Sequence, residues 1–186
     1  MRITKEPEVR KQEIFDTALK LFGQQGYEKT TIADIAKELG VAQGLCYRYF
    51  PSKEVLFDSA IEQYAQILAA QFAERSKNIT LPLKEFIEKM PATVENQNTK
   101  YYSVFHGPQN KKFHLLLSLK TCEKLVPIVE KLLQKAQEQG EIHLEDVSTA
   151  AKFCVFGQLG ILLEDGLDQE EKANRIRAFL LYALHL

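Results

Sequence analysis

Apolar side chains recur along this chain at three- and four-residue spacing with polar residues between them, a period that predicts helices and leaves no alternating strand pattern. The first helix is expected over 8–22, where Ile14, Phe15, Ala18, Leu19, Leu21 and Phe22 share one face and Gly23 and Gly26 supply the stop. Over 30–39, Ile32, Ile35, Ala36 and Leu39 form a second stripe. Thr31 and Asp34 have the spacing of a capping box with the shorter acid, and Gly40 stands where a left-handed stop is needed. A third helix, 43–49, ends before Pro51, whose ring disfavours helical dihedrals at Phe50. Ser52 then caps a longer helix over 53–74 that carries Val55, Leu56, Ala60, Ile61, Tyr64, Ile67, Leu68 and Phe72. Beyond it the pattern predicts a helix over 82–95 interrupted near Pro91 and an irregular polar stretch over 96–110. A long helix over 113–139, kinked at Pro127 and closed by Gly140, precedes two last helices over 144–164 and 169–184. The expected fold is all-α: a three-helix head over 1–52 with a helix-turn-helix, followed over 53–186 by a larger helical domain.

The joint between the second and third helices is the most informative stretch. With Ile32 counted as first, Ala36 is fifth, Gly40 ninth, Val41 tenth and Cys46 fifteenth. A small Ala36 lets two helices approach, Gly40 turns the chain, and Val41 and Cys46 close the core between them, as a helix-turn-helix requires. A helix as short as 43–49 does not hold alone in water. Leu45, Cys46 and Phe50 therefore pack inward, which leaves Gln43, Gly44, Tyr47, Arg48 and Tyr49 at the surface. An ordinary helical hairpin would show the same residues as a solvated or partner-facing edge. The chemistry favours DNA: Gln43 can present a bidentate amide to an adenine edge, and Gly44 lets the backbone come close. Tyrosine hydroxyls, Lys53 and the free amides of a helix start suit phosphates.

The stretch FGQQGYEKTTIADIAKELGVAQGLCYRYFPSKEVLF, residues 22–57, resembles the TetR (tetracycline-repressor-like) transcriptional regulators. It has, in order, their phenylalanine and glycine before an aromatic, threonine pair, isoleucine-alanine pair, glycine-valine, tyrosine-rich recognition helix and lysine-glutamate. The resemblance implies base or groove contacts from Gln43, Gly44 and Leu45 and phosphate contacts from Thr31, Tyr47, Tyr49 and Lys53, with Arg48 on the same surface. Ala42, often serine in that family, and Arg48, often aromatic, depart from the pattern and leave base preference open.

Charge adds little to this picture. The 186 residues carry 24 Lys plus Arg against 25 Asp plus Glu, and the first 60 hold nine of each sign, so the head has no basic excess and its DNA affinity must rest on local phosphate contacts. Cys46, Cys122 and Cys154 are far apart and read as small buried hydrophobes in a reducing compartment. No basic-apolar-small leader opens the chain and no apolar run reaches the roughly 18 residues of a membrane span, so the expected location is cytoplasmic. The four histidines lack chelating spacing, and nucleophile-elbow, P-loop, dinucleotide and zinc signatures are missing; no enzyme activity, cofactor or metal is expected.

The segment 150–163 is apolar around most of its circumference, as a helix at a monomer's surface is not. Together with the last helix it predicts a four-helix interface between two copies, formed by Val155, Leu159, Leu162, Leu163, Ile176, Phe179, Leu180, Ala183 and Leu184, with Gly157 and Gly160 allowing close approach. The resemblance implies dimerisation through the same two helices. A regulator of this kind also senses something, and Tyr64, Tyr101, Tyr102, Phe105, His106, Phe113, Leu116, Leu117, Phe153 and Phe156 are the candidates to line a cavity for an apolar or aromatic effector. The expected function is a repressor released from a near-palindromic operator by such a molecule. The alternative is a DNA binder of the same type, architectural or controlled by a protein partner, without a small ligand.

Overall fold

Local chemistry sets the helix ends. The computed structural model describes residues 6–77, 81–91 and 111–186, and those residues are all-α, with no strand among them. Helix α1 (Pro7–Gln25) opens on a proline, which needs no amide donor there. It runs through Gly23 rather than stopping, since a mid-helix glycine costs only about 1 kcal/mol against alanine. The stop is Gly26, at φ 88°, whose amide donates to the Phe22 carbonyl at 3.1 Å. In the loop that follows, the buried Thr30 hydroxyl donates to the Gly26 carbonyl at 2.8 Å and accepts from the Gln25 amide at 3.2 Å. Helix α2 (Ile32–Leu39) begins with the capping box: Thr31 Oγ1 accepts from the Asp34 amide at 3.1 Å and an Asp34 oxygen accepts from the Thr31 amide at 2.9 Å. It ends at Gly40, left-handed at φ 66°, with Val41 N donating to Ala36 O at 2.9 Å in a Schellman closure. Helix α3 (Gln43–Tyr49) follows, and α4 (Lys53–Lys77) starts where Ser52 Oγ accepts from the Val55 amide at 3.2 Å.

Packing divides the described chain into two units: residues 6–64 with 111–117, and residues 65–77, 81–91 and 118–186. In the first, Ile14, Leu19 and Phe22 of α1 pack with Ile35 of α2, Cys46 of α3, and Leu56 of α4, all essentially without exposure. Burying a ring such as Phe22 stabilises by about 1.5–3 kcal/mol, and this shared core holds the two-turn α3 in place. Phe57, Ala60, Ile61 and Tyr64 extend the core along α4, whereas Val55 and Ile67 face solvent, because the inward line follows Leu56, Ala60 and Tyr64 four residues apart.

In the second unit, α5 (Leu83–Glu88), α6 (Lys111–Glu138, from Ser118 onward), α7 (Val147–Phe156), α8 (Leu159–Leu162) and α9 (Gln169–Ala183) surround Leu83, Ile87, Leu133, Ala136, Ile142, Ala151, Ile176, Leu180 and Leu184. α6 passes through the exposed Pro127, and Gly140, at φ 75°, closes it. Where one helix over 144–164 is expected there are two. Asp146 accepts from the Thr149 amide at 2.9 Å and so starts α7 late, and α7 stops at Gly157, after which the Gln158 side-chain amide occupies the Cys154 carbonyl. The buried Lys172 donates from Nζ to Leu162 O at 2.8 Å, which supplies a cation to the last carbonyls of α8. Among the described residues no helix is long and apolar enough to cross a membrane.

Candidate nucleic-acid interface

With Cys46 and Phe50 drawn into the core, α3 turns Gln43, Gly44, Tyr47 and Arg48 to solvent and leaves Leu45 and Tyr49 half-buried. Arg48 has no ion-pair or hydrogen-bond partner among the described residues. Ala42 at the N-cap offers no side-chain acceptor, which leaves the first amides of α3 without a cap. At Gly44 a Cβ would find nothing within 4 Å, and the backbone there is not in the left-handed region. Nothing inside the fold requires glycine at this position.

The two remaining candidates are tied to the protein itself. The Thr31 hydroxyl accepts from the Asp34 amide and donates to an Asp34 oxygen at 2.7 Å, so it works as a helix cap. These bonds hold the Asp34 carboxyl below its usual range. Lys53 Nζ donates to the Tyr27 carbonyl at 3.0 Å and lies 4.1 Å from the centre of the Tyr27 ring, a cation-π distance. Tyr27 in turn sits among Phe22, Phe57 and Phe113, with ring centres 5.2, 4.9 and 5.1 Å away. Burial, and then the carboxylates of Glu54, Glu28 and Asp58, push the Tyr27 phenol up to about 12. The sequence pattern does not single out Tyr27, because its partner Lys53 lies 26 residues away.

The sequence model for bacterial regulatory proteins of the tetR family matches residues 14–60, which span α1 to α3 and the start of α4. Residues 14–60 are a helix-turn-helix head of the TetR type. YuxN of Bacillus subtilis (strain 168), an uncharacterized HTH-type transcriptional regulator, is 51% identical over 51 residues, which are 27% of this chain and 18% of that protein. YerO of the same organism, also an uncharacterized HTH-type transcriptional regulator, is 28% identical over 183 residues, 94% of this chain and 63% of its own. The chain thus spans less than two thirds of both relatives. In solved structures the fold recurs in Salmonella enterica GusR, with a TM-score of 0.68 and 22% identity over 98% of both chains.

The described residues expected between two copies or around a cavity divide between buried and exposed positions. Val155, Ile176, Leu180 and Leu184, expected between two copies, are buried, and Ile176, Leu180 and Leu184, four residues apart, fill the core of the second unit. Leu159, Leu162 and Leu163 are half-buried, and Phe179 and Ala183 are exposed. Of the cavity candidates, Phe113 packs 4.2 Å from Phe57 in the head and Tyr64 and Leu117 are buried in that same unit. Leu116 and Phe156 are exposed at the surface, and Phe153 is 74% exposed. Tyr101, Tyr102, Phe105 and His106 lie outside the described residues.

Proposed function

We propose that this protein is a TetR-type repressor that reads a near-palindromic operator as a homodimer, with α3 of each protomer in one of two successive major grooves roughly 34–36 Å apart. The observation that carries the reading is an outward helix with unpaired hydrogen-bonding side chains beside a glycine that the fold does not need. Gln43 and Arg48 read base edges and Leu45 meets a thymine methyl. Tyr47, Tyr49 and Lys53 hold phosphates, and Thr31 supports α2 from its cap. The two-fold contact falls on α7 and α9, where Phe153, Phe156 and Gly157 on one helix and Phe179, Tyr182 and Ala183 on the other each form an exposed i, i+3, i+4 stripe. An apolar or aromatic effector in the second unit relieves repression in the cytoplasm. Two observations support that part: α4 runs unbroken from one unit into the other, and RolR, a neighbour of the same fold at a TM-score of 0.62, forms a complex with resorcinol.

The test is selection of an operator from random duplexes, followed by fluorescence anisotropy with single variants. Gln43→Ala is expected to relax preference at one base pair per half-site at a cost of roughly 1–3 kcal/mol. A folded Gln43→Ala protein with unchanged preference at every position would remove α3 from the groove. The nucleoid occlusion factor SlmA of Haemophilus ducreyi, 35% identical over 74 residues that are 38% of this chain and 37% of its own, is the observation behind the second reading, a DNA binder of the same type that is architectural or controlled by a protein partner, without a small ligand. Operator binding that no small apolar or aromatic compound weakens would select it.

A further inference from the structure

The reading above gives Lys53 a phosphate, yet Lys53 opens α4 on a flexible four-carbon stem, and such a side chain loses rotamer freedom when it holds one geometry. In this head that geometry is already set. The Tyr27 carbonyl accepts from Lys53 Nζ at 3.0 Å and from the Thr30 amide at 3.1 Å, so both of its lone pairs are in use. The ammonium stands 4.1 Å from the ring centre above it. The ring itself cannot swing, because Phe22 and Phe57 lean on it at 5.2 and 4.9 Å and Phe113, from the first turn of α6, meets it nearly edge-on at 5.1 Å and 77°. Two of the three ammonium protons remain free of the Tyr27 carbonyl.

We infer that Tyr27 is a positioning residue for DNA binding: its carbonyl and ring face pre-set the Lys53 ammonium for a phosphate, and Phe113 locks that ring. The inference rests on the reading of Lys53 as a phosphate contact.

The experiment uses the full chain and a labelled duplex of mixed sequence, with affinity measured across a salt series. Each lost phosphate contact flattens the slope of log K against log salt by about 0.9. Lys53→Ala is expected to flatten it by about 0.9 per protomer, Tyr27→Leu, which keeps the carbonyl but loses the ring face, to flatten it by part of that amount, and the double variant to do no more than Lys53→Ala, whereas Tyr27→Phe, which keeps the ring, is expected to retain the native slope. If Lys53→Ala leaves the slope unchanged, the phosphate reading fails. If Lys53→Ala flattens it and a folded Tyr27→Leu does not, or if Tyr27→Phe flattens it as much, the positioning role fails. Should Tyr27→Leu not fold, the unmodified protein decides. The ε-methylene protons of Lys53 are expected upfield of those of other lysines, both free and with duplex bound, and ordinary shifts in the bound state would overturn the inference.

Discussion

Gly44→Ala separates folding from recognition in a single methyl group. Glycine within a helix is less favourable than alanine by about 0.4–1 kcal/mol, mostly through the freedom that the unfolded chain keeps. A Cβ at position 44 meets nothing within 4 Å, so no clash offsets that gain. The variant should therefore be more stable by about that amount, or roughly 1–4 °C in Tm for a chain of this size. On DNA the sign reverses. If the α3 backbone approaches the groove at Gly44, the new methyl holds the duplex back by about one C–C bond, ~1.5 Å, which stretches a hydrogen bond of about 2.9 Å beyond its useful range. The base contact of Gln43 next to it is worth about 1–3 kcal/mol, so operator affinity should drop roughly tenfold or more.

Thermal unfolding followed by circular dichroism measures the first effect, and fluorescence anisotropy on the selected operator measures the second. A stabilised variant that binds the operator as tightly as the parent would show that the glycine is not the point of closest approach. A destabilised variant would contradict the open space around position 44. Only the two effects together, with opposite signs, support the groove assignment.

Thr121 Oγ1 is a buried side-chain oxygen without a partner among the described residues, so Thr121→Val should raise stability in urea by about 1–3 kcal/mol, the usual cost of an unmet buried polar group. The Tyr27 phenol is raised in the folded state from 10.0 to about 12, so its contribution is complete below pH 10 and is lost as pH rises through 10 to 12. Urea unfolding across that window should therefore show a steeper fall for the parent than for Tyr27→Phe. Phe179 and Tyr182 are 61% and 79% exposed, and replacing both with Asp should give a monomer by light scattering with the helix content kept. A dimer that persists at micromolar concentration would move the two-fold contact away from α9.

What was legible in the sequence was what depends on neighbours a few residues apart. The Thr31–Asp34 pair, the left-handed Gly40 and the helix end before Pro51 are local, and α3 occupies the expected Gln43–Tyr49. The faces of the late helices were not legible. α9 carries two apolar lines, Ile176–Leu180–Leu184 and Phe179–Tyr182–Ala183, and periodicity gives both without saying which one meets its own core. Phe113 shows the same limit: an aromatic at a helix start suits a pocket or a core equally, and only tertiary packing sets it against Tyr27 and Phe57. The break after Gly157 depends on a side-chain amide that competes for the Cys154 carbonyl, which no propensity scale records.

A head with nine cations and nine anions in its first 60 residues has no overall field with which to attract DNA, so charge must act by placement. At physiological salt an exposed charge is felt over about 8 Å, and what matters is which acids near α3 already have partners. Asp34 is bound by Thr31, and Glu38 accepts from Lys20 at 2.7 Å, an ion pair between α2 and α1. Glu54, at the start of α4, is held below its usual range by backbone amide and Ser52 hydrogen bonds. Lys20 is thereby committed as well, and Arg48 remains as a cation on α3 with no acid paired to it among the described residues. With α3 in the groove as proposed, such an arrangement would give weak attachment to arbitrary DNA and a larger share of affinity to contacts that need the correct bases, which raises the ratio of specific to non-specific binding.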